Sequence, residues 1–149
     1  MNMKNLFLLL VCGLCFQSVG SFAQGYKIQV NIPQMSNKQI ILANYFEGKV
    51  YAVDTAQINS NGTGYFQKNN KKLARGMYIL LFSPSNYFDI MIGDNQNFSI
   101  TTDTLQVIDK IRFEGSPENT AFLGFQKVMT SATQKSRQIK EAMEKDPAK

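Results

Sequence analysis

The two cysteines of this chain are the residues that most strongly suggest chemistry. Cys12 and Cys15 have the Cys-x-x-Cys spacing of thiol-disulfide oxidoreductases. A redox pair of this kind works at the start of a helix, in a partly exposed and electropositive environment. Here the pair lies inside a continuous apolar run, Leu6–Phe16. We therefore interpret the cysteines as part of an N-terminal leader and not as a redox site.

The first 23 residues have the three parts of a secretory signal peptide. Lys4 supplies the positive charge, Leu6–Phe16 the apolar stretch, and the small residues Ser21 and Ala23 precede Gln24. The apolar stretch is shorter than the roughly 20 residues that a membrane-spanning helix needs. We predict cleavage between Ala23 and Gln24, a periplasmic or secreted location, and no stable membrane anchor after cleavage.

The composition beyond residue 23 excludes several kinds of catalysis. This part contains neither Cys nor His, which excludes disulfides, Cys/His zinc sites and Ser-His-Asp triads. The last 30 residues carry 6 basic and 3 acidic side chains, interleaved along the segment. Nucleic-acid-binding proteins usually concentrate basic charge on one face. We interpret this segment as solvated helix surface and predict no nucleic-acid partner.

Short polar patterns resemble ligand-binding loops but lack required residues. Gly62-Thr63-Gly64 lacks the third glycine and the following helix of a phosphate loop. Asp94–Asn97 lacks the central glycine and the bidentate glutamate of a calcium loop. Carboxylates for glycoside hydrolysis have no partner at an identifiable spacing: Asp54, Asp89, Asp94 and Asp103. We expect no enzyme activity, no catalytic or metal-binding residue and no cofactor.

Short apolar segments separated by turn residues follow the leader, which is typical of β-strands. They are Tyr26–Ile32, Gln39–Phe46, Lys49–Ile58, Gly64–Gln67, Gly76–Ser83, Tyr87–Ile92, Phe98–Thr102 and Leu105–Phe113. About eight strands without alternating helices indicate a mainly β fold, an antiparallel β-sandwich over residues 24–115. Asn61-Gly62 predicts a tight type I′ hairpin turn, because both residue types tolerate a positive φ.

Adjacent aromatic residues recur in three of these strands: Tyr45-Phe46, Tyr65-Phe66 and Tyr87-Phe88. Because side chains alternate between the two faces of a strand, one ring of each pair should face away from the core. If the outward rings share one sheet face, they form an apolar patch that calls for a partner.

The remaining segment, 116–149, has the pattern of one long helix. Ser116 suits the cap position and Pro117 the first helical position. Apolar or small residues then follow at alternating spacings of three and four: Phe122, Phe125, Met129, Ala132, Ser136, Ile139 and Met143. We expect Phe122, Phe125 and Met129 to dock on the β domain. The part after Ser131 lacks a facing surface, so we interpret the segment as truncated.

Several short motifs resemble a known domain. They are Tyr51-Ala-Val-Asp-Thr55, Ile58–Gly62, Gly64-Tyr-Phe66, Gly76-Met-Tyr78, Asp103 and Phe113–Asn119. The resemblance is to a β-rich domain of unknown function at the N-terminus of exported thioredoxin-like proteins (TlpA/AhpC-type) of Bacteroidota. Those proteins perform redox chemistry in a C-terminal thioredoxin domain, which this sequence does not include. No catalytic residue can therefore be transferred.

The resemblance implies a non-catalytic extracytoplasmic accessory module of a thioredoxin-like thiol-disulfide system. Its partner would be a separate protein or a covalently continuing thioredoxin-like domain. The alternative is a stand-alone periplasmic binding module for a peptide or a glycan.

Removal of the leader is directly testable. Intact-mass analysis of the exported protein should give an N-terminus at Gln24, within a residue or two. An exported protein that retains Met1 would contradict the prediction.

Overall fold

The computed structural model describes residues 25–145. Ala23 and Gln24 lie outside the described residues, as do both cysteines. The strands are β1 (Tyr26–Asn31), β2 (Gln39–Phe46), β3 (Lys49–Gln57), β4 (Thr63–Lys68), β5 (Gly76–Ser83), β6 (Asn86–Ile92), β7 (Asn97–Thr101) and β8 (Arg112–Glu114). The helices are a 3-10 turn (Pro33–Met35), α1 (Val107–Lys110) and α2 (Pro117–Lys145).

The strands form two four-stranded sheets. Sheet I has the order β4-β1-β7-β8, and sheet II has the order β3-β2-β5-β6. The prediction of a mainly β chain with a C-terminal helix is confirmed. Neighbouring strands are antiparallel except β1 and β7, which are parallel, so the sheets are mainly antiparallel, as predicted, with one parallel pair that the sequence did not indicate. The long stretch of chain between these two strands supplies the crossover that a parallel pair requires.

Both sheets contribute to one apolar core. Side chains alternate between buried and exposed along β1, β6 and β7, as expected for strands with one face covered. The buried cluster includes Ile28, Val30, Phe66 and Ile100 from sheet I, and Leu42, Leu80, Phe88 and Ile90 from sheet II. Each fully buried side chain of this size contributes about 1.5–3 kcal/mol to stability. The shared cluster therefore joins the two sheets.

The Asn61-Gly62 turn connects the two sheets and does not form a hairpin. β3 pairs with β2, and β4 pairs with β1. Gly62 has a φ of +81°, whereas Asn61 has no positive φ, so the turn is not type I′. Instead the Asn59 side chain accepts hydrogen bonds from the N–H groups of Asn61, at 2.9 Å, and Thr63, at 3.0 Å. Asparagine commonly stabilises turns in this way.

The last predicted strand is interrupted by a helical turn. Within Leu105–Phe113 the chain forms α1 before the short strand β8. Just before α1, Asp103 Oδ1 accepts hydrogen bonds from the N–H groups of Leu105, at 2.9 Å, and Gln106, at 2.6 Å. Local bonds of this kind give the main chain an alternative to strand pairing. The sequence predicted a strand here because apolar residues alternate in this short segment.

Gly62 also allows a close approach between two chain segments. A Cβ atom at this position would lie 2.7 Å from Cα of Pro33, whereas a Cβ at Gly48, with a similar φ of +75°, would meet nothing within 4 Å. Gly48→Ala should therefore cost only the positive φ, about 1–2 kcal/mol. Gly62→Ala should cost more because the Cβ also overlaps the Pro33 backbone.

Thermal unfolding of the two variants tests this difference. At about 4 °C per kcal/mol for a domain of this size, Gly48→Ala should lower Tm by about 4–8 °C. Gly62→Ala should lower Tm further. Equal changes in Tm would show that the contact with Pro33 contributes nothing.

Candidate functional site

The free edge of sheet II is partly covered by a side chain from α2. β6 is an outer strand, so one side of its main chain has no neighbouring strand. The buried Asn119 side chain donates a hydrogen bond from Nδ2 to the carbonyl oxygen of Met91, and its Oδ1 accepts one from the Met91 N–H. Both distances are 2.7 Å. The amide thus reproduces the pair of hydrogen bonds that an added strand would form.

The first turn of α2 holds this amide in place. Ser116 directly precedes the helix, which begins at Pro117. Ser116 Oγ lies 2.8 Å from Asn119 Nδ2 and accepts a longer hydrogen bond, 3.4 Å, from the Asn119 N–H. The carbonyl oxygen of Ser116 accepts from the N–H of Thr120 at 3.1 Å. The sequence pointed to Ser116 and Pro117 as the start of the helix. It placed Asn119 in the Phe113–Asn119 motif but did not indicate that its side chain bonds to β6.

α2 docks through a different face from the one predicted. Phe122 and Leu123 are half-buried, and Leu123 packs against the core. Phe125 and Met129 are 59% and 49% exposed, so the prediction that they dock was wrong. The bonded position of Asn119 turns the helix so that Leu123, four positions later, packs against the core, while Phe125 faces outward.

A groove of about 800 Å³ opens along the first half of β6, on the N-terminal side of Met91. Its floor is the start of β6, Asn86–Asp89. One wall is the segment Thr104–Asp109, and the other is the face of α2 from Gln126 to Gln134. Asn86 fixes the first wall by donating a hydrogen bond from Nδ2 to the carbonyl oxygen of Thr104 at 2.7 Å. The volume lies within the range of ordinary ligand sites, about 300–1,000 Å³.

The groove is lined mainly by neutral polar groups and carries few charges. Those charges are Asp89, Asp109 and Lys127. Burial raises the pKa of Asp89, because removing water disfavours the ionised carboxylate. On the α2 wall, the Oε1 atom of Gln126 is buried, and within residues 25–145 no donor reaches it. The groove therefore offers hydrogen-bond acceptors and, at Asp89, a carboxyl group with a raised pKa.

The second half of α2 presents an apolar face that no element within residues 25–145 covers. We define the α2 stripe as Phe125, Met129, Ala132, Ser136, Ile139 and Met143. Every described residue of α2 from Lys127 onward is exposed. Ile139 is 53% exposed and Met143 is 64% exposed. Apolar side chains at this spacing are typical of a seam between two helices.

The outward aromatic rings do not share one sheet face. Tyr65 and Tyr87 are exposed while their neighbours are buried, as predicted, but Tyr65 is in sheet I and Tyr87 is in sheet II. Tyr45 and Phe46 are both exposed because β2 ends at Phe46, where the chain turns toward β3. The expectation of a single aromatic patch is therefore not met.

Most of the acidic residues considered for catalysis have structural partners. Asp54 accepts a hydrogen bond from the hydroxyl of Tyr26 at 2.7 Å, and burial together with this bond raises the pKa of Tyr26. Asp94 pairs with Arg75 at 3.2 Å. Among the described residues, no three His, Cys, Asp or Glu side chains gather in a way that could hold a metal ion. In the same part of the chain, no helix combines the length and apolarity needed to span a bilayer.

Comparison with known proteins identifies a family. The family model Domain of unknown function (DUF4369) matches residues 26–122. The match covers both sheets and the first turns of α2, and it ends before the α2 stripe begins. No curated protein matches the chain.

The bond between Asn119 and Met91 gives a stability prediction. Asn119→Ala leaves two main-chain groups of β6 without partners in a poorly hydrated position, which should cost about 1–3 kcal/mol. Asn95→Ala is the control, because the Asn95 side chain also makes two hydrogen bonds but is exposed: it donates to the Gly115 carbonyl oxygen and accepts from the Asn97 N–H. Urea unfolding should show a much larger loss for Asn119→Ala. Equal losses would contradict a special role for Asn119.

Proposed function

The chain belongs to the DUF4369 family, and we propose that it is a non-catalytic extracytoplasmic interaction module of a thioredoxin-like thiol-disulfide system. We also infer that its two sheets stack as a β-sandwich, because their inward side chains form one apolar cluster. In this proposal the β domain is a scaffold, and α2 carries the surface that binds the partner.

The exposed α2 stripe is the observation that carries the proposal. Soluble proteins rarely leave such a continuous apolar face open to water without a binding role. Burial of Ile139 or Met143 against a partner contributes about 1.5–3 kcal/mol for each side chain. The spacing of the stripe fits a second helix that lies alongside α2.

The charges beside the stripe indicate the kind of helix that fits. Lys135 and Lys140 occupy the flanking positions that face a partner helix in a coiled coil. Arg137 and Glu141 form an ion pair at 3.7 Å on the side away from the stripe. In a parallel pair of two copies, Lys135 of one would face Lys140 of the other, which is repulsive. We therefore propose a different helix with acidic flanking residues.

The thiol-disulfide assignment is supported by the motifs that resemble the domain preceding thioredoxin domains. The chain beyond residue 23 has neither Cys nor His, so the partner would supply the redox-active cysteines. The contribution of this chain would be to hold that partner, either as a separate protein or as a covalently continuing thioredoxin-like domain.

A second candidate function is a stand-alone periplasmic module that binds a peptide or a glycan. The groove beside β6 favours this candidate, because it has the volume of a ligand site and a polar lining.

Site-specific photo-cross-linking in cells tests the first candidate. A photoreactive residue at Ile139 should cross-link a protein or domain with a thioredoxin fold, identified by mass spectrometry. The same residue at Arg137, on the opposite face, should give a much lower yield. The double variant Lys135→Glu/Lys140→Glu should reduce the yield at Ile139 by about two- to thirtyfold, because each of the two exposed ion pairs contributes about 0.2–1 kcal/mol.

Two outcomes would refute the first candidate. One is equal cross-linking from Ile139 and Arg137, which would mean that the stripe is not a specific surface. The other is a specific partner at Ile139 without a thioredoxin fold, which would retain the interaction surface and remove the thiol-disulfide assignment.

A further inference from the structure

The floor of the groove is an exposed strand edge, so its main chain can bind a ligand. In an antiparallel pair, residues whose N–H and C=O groups face the neighbouring strand alternate with residues whose groups face away. The main-chain N–H and C=O groups of Met91 point away from β5, since both form hydrogen bonds with the Asn119 side chain. Two-residue alternation gives Asp89 and Tyr87 the same direction.

The groups of Asp89 and Tyr87 that face the edge are open. Within residues 25–145, no side chain or main-chain group outside sheet II forms a hydrogen bond with the main chain of either residue. Both residues line the groove. The amide of Asn119 bonds the edge-facing N–H and C=O groups of Met91. The corresponding groups of Asp89 and Tyr87, two and four residues earlier, have no such partner among residues 25–145.

We propose that this groove binds an extended peptide segment, which pairs with β6 and adds a strand to sheet II. The inference rests on the second candidate function, for which it names the site and the ligand class, and it is independent of the α2 stripe. Donors and acceptors that alternate every two residues match a polypeptide main chain. The Thr104–Asp109 segment and α2 form the walls that confine the peptide.

The charges in the groove select for a basic residue in the peptide. Asp89 projects from the sheet face opposite to Phe88 and Ile90, which are in the core. A peptide residue directly across from Asp89 projects from the same face, with its Cβ about 4.5–5.5 Å away. Asp109 adds a second acidic group, and Lys127 is the single basic one that lines the groove. A Lys or Arg across from Asp89 is therefore favoured.

The probe is a fluorescein-labelled octapeptide of alternating Thr and Val with one central Lys, titrated into the full chain. Binding should shift the amide NMR signals of Tyr87 and Asp89. N-methylation of the peptide nitrogens that face β6 should weaken binding by about two- to tenfold per group, because each removes one hydrogen bond. N-methylation of the intervening nitrogens should weaken binding much less.

Three protein variants complete the experiment. Tyr87→Pro removes one N–H that faces the groove, and proline is tolerated on edge strands, so this variant should retain its Tm and lose affinity. Asp89→Asn should remove the preference for the central Lys over Thr. Ile139→Asp, on the α2 stripe, should leave peptide binding unchanged.

The inference is overturned if the Tyr87 and Asp89 signals do not respond to the peptide at millimolar concentration. It is also overturned if both N-methylation patterns weaken binding equally. Neither result bears on cross-linking from Ile139, so failure of this inference and failure of the thiol-disulfide proposal are distinguishable.

Discussion

The position of α2 depends on the pair of hydrogen bonds between Asn119 and the main chain of Met91. A helix packed beside a sheet edge covers main-chain groups that need hydrogen-bond partners, and each group left without one costs about 1–3 kcal/mol. Asn119 meets this requirement for Met91, and Ser116 fixes the amide. Because this contact sets both the rotation and the direction of the helix, it also decides which apolar residues of α2 are covered and where the groove lies.

The strands and the start of α2 could be predicted from the sequence because their signals are local. Two-residue alternation identifies a strand wherever one face is buried, and Ser116-Pro117 has the residue types that begin a helix. The partner of each strand is not a local property. Gly62 adopts the positive φ that its residue type allows, yet nothing near it indicates that β3 and β4 belong to different sheets.

The candidate site was less predictable than the fold because it does not consist of reactive side chains. Sequence motifs reveal thiols, imidazoles and paired carboxylates, whereas the proposed peptide site consists of main-chain groups of Tyr87 and Asp89, which any residue type could provide. The docking face of α2 escaped prediction for a related reason. The apolar spacing pointed to Phe125 and Met129, whereas a single buried amide at Asn119 turned that face toward solvent.

The parallel pairing of β1 and β7 has a consequence for folding kinetics. β1 is a central strand of sheet I, and its two neighbours are β4 and β7. Sheet I therefore remains incomplete until a strand from the far end of the β region returns to it. Folds dominated by such distant contacts typically form in milliseconds to seconds. During synthesis β1 emerges early but lacks one neighbour until β7 emerges. Because sheet I cannot form completely before then, we expect the chain to stay unfolded until the whole β region has been made.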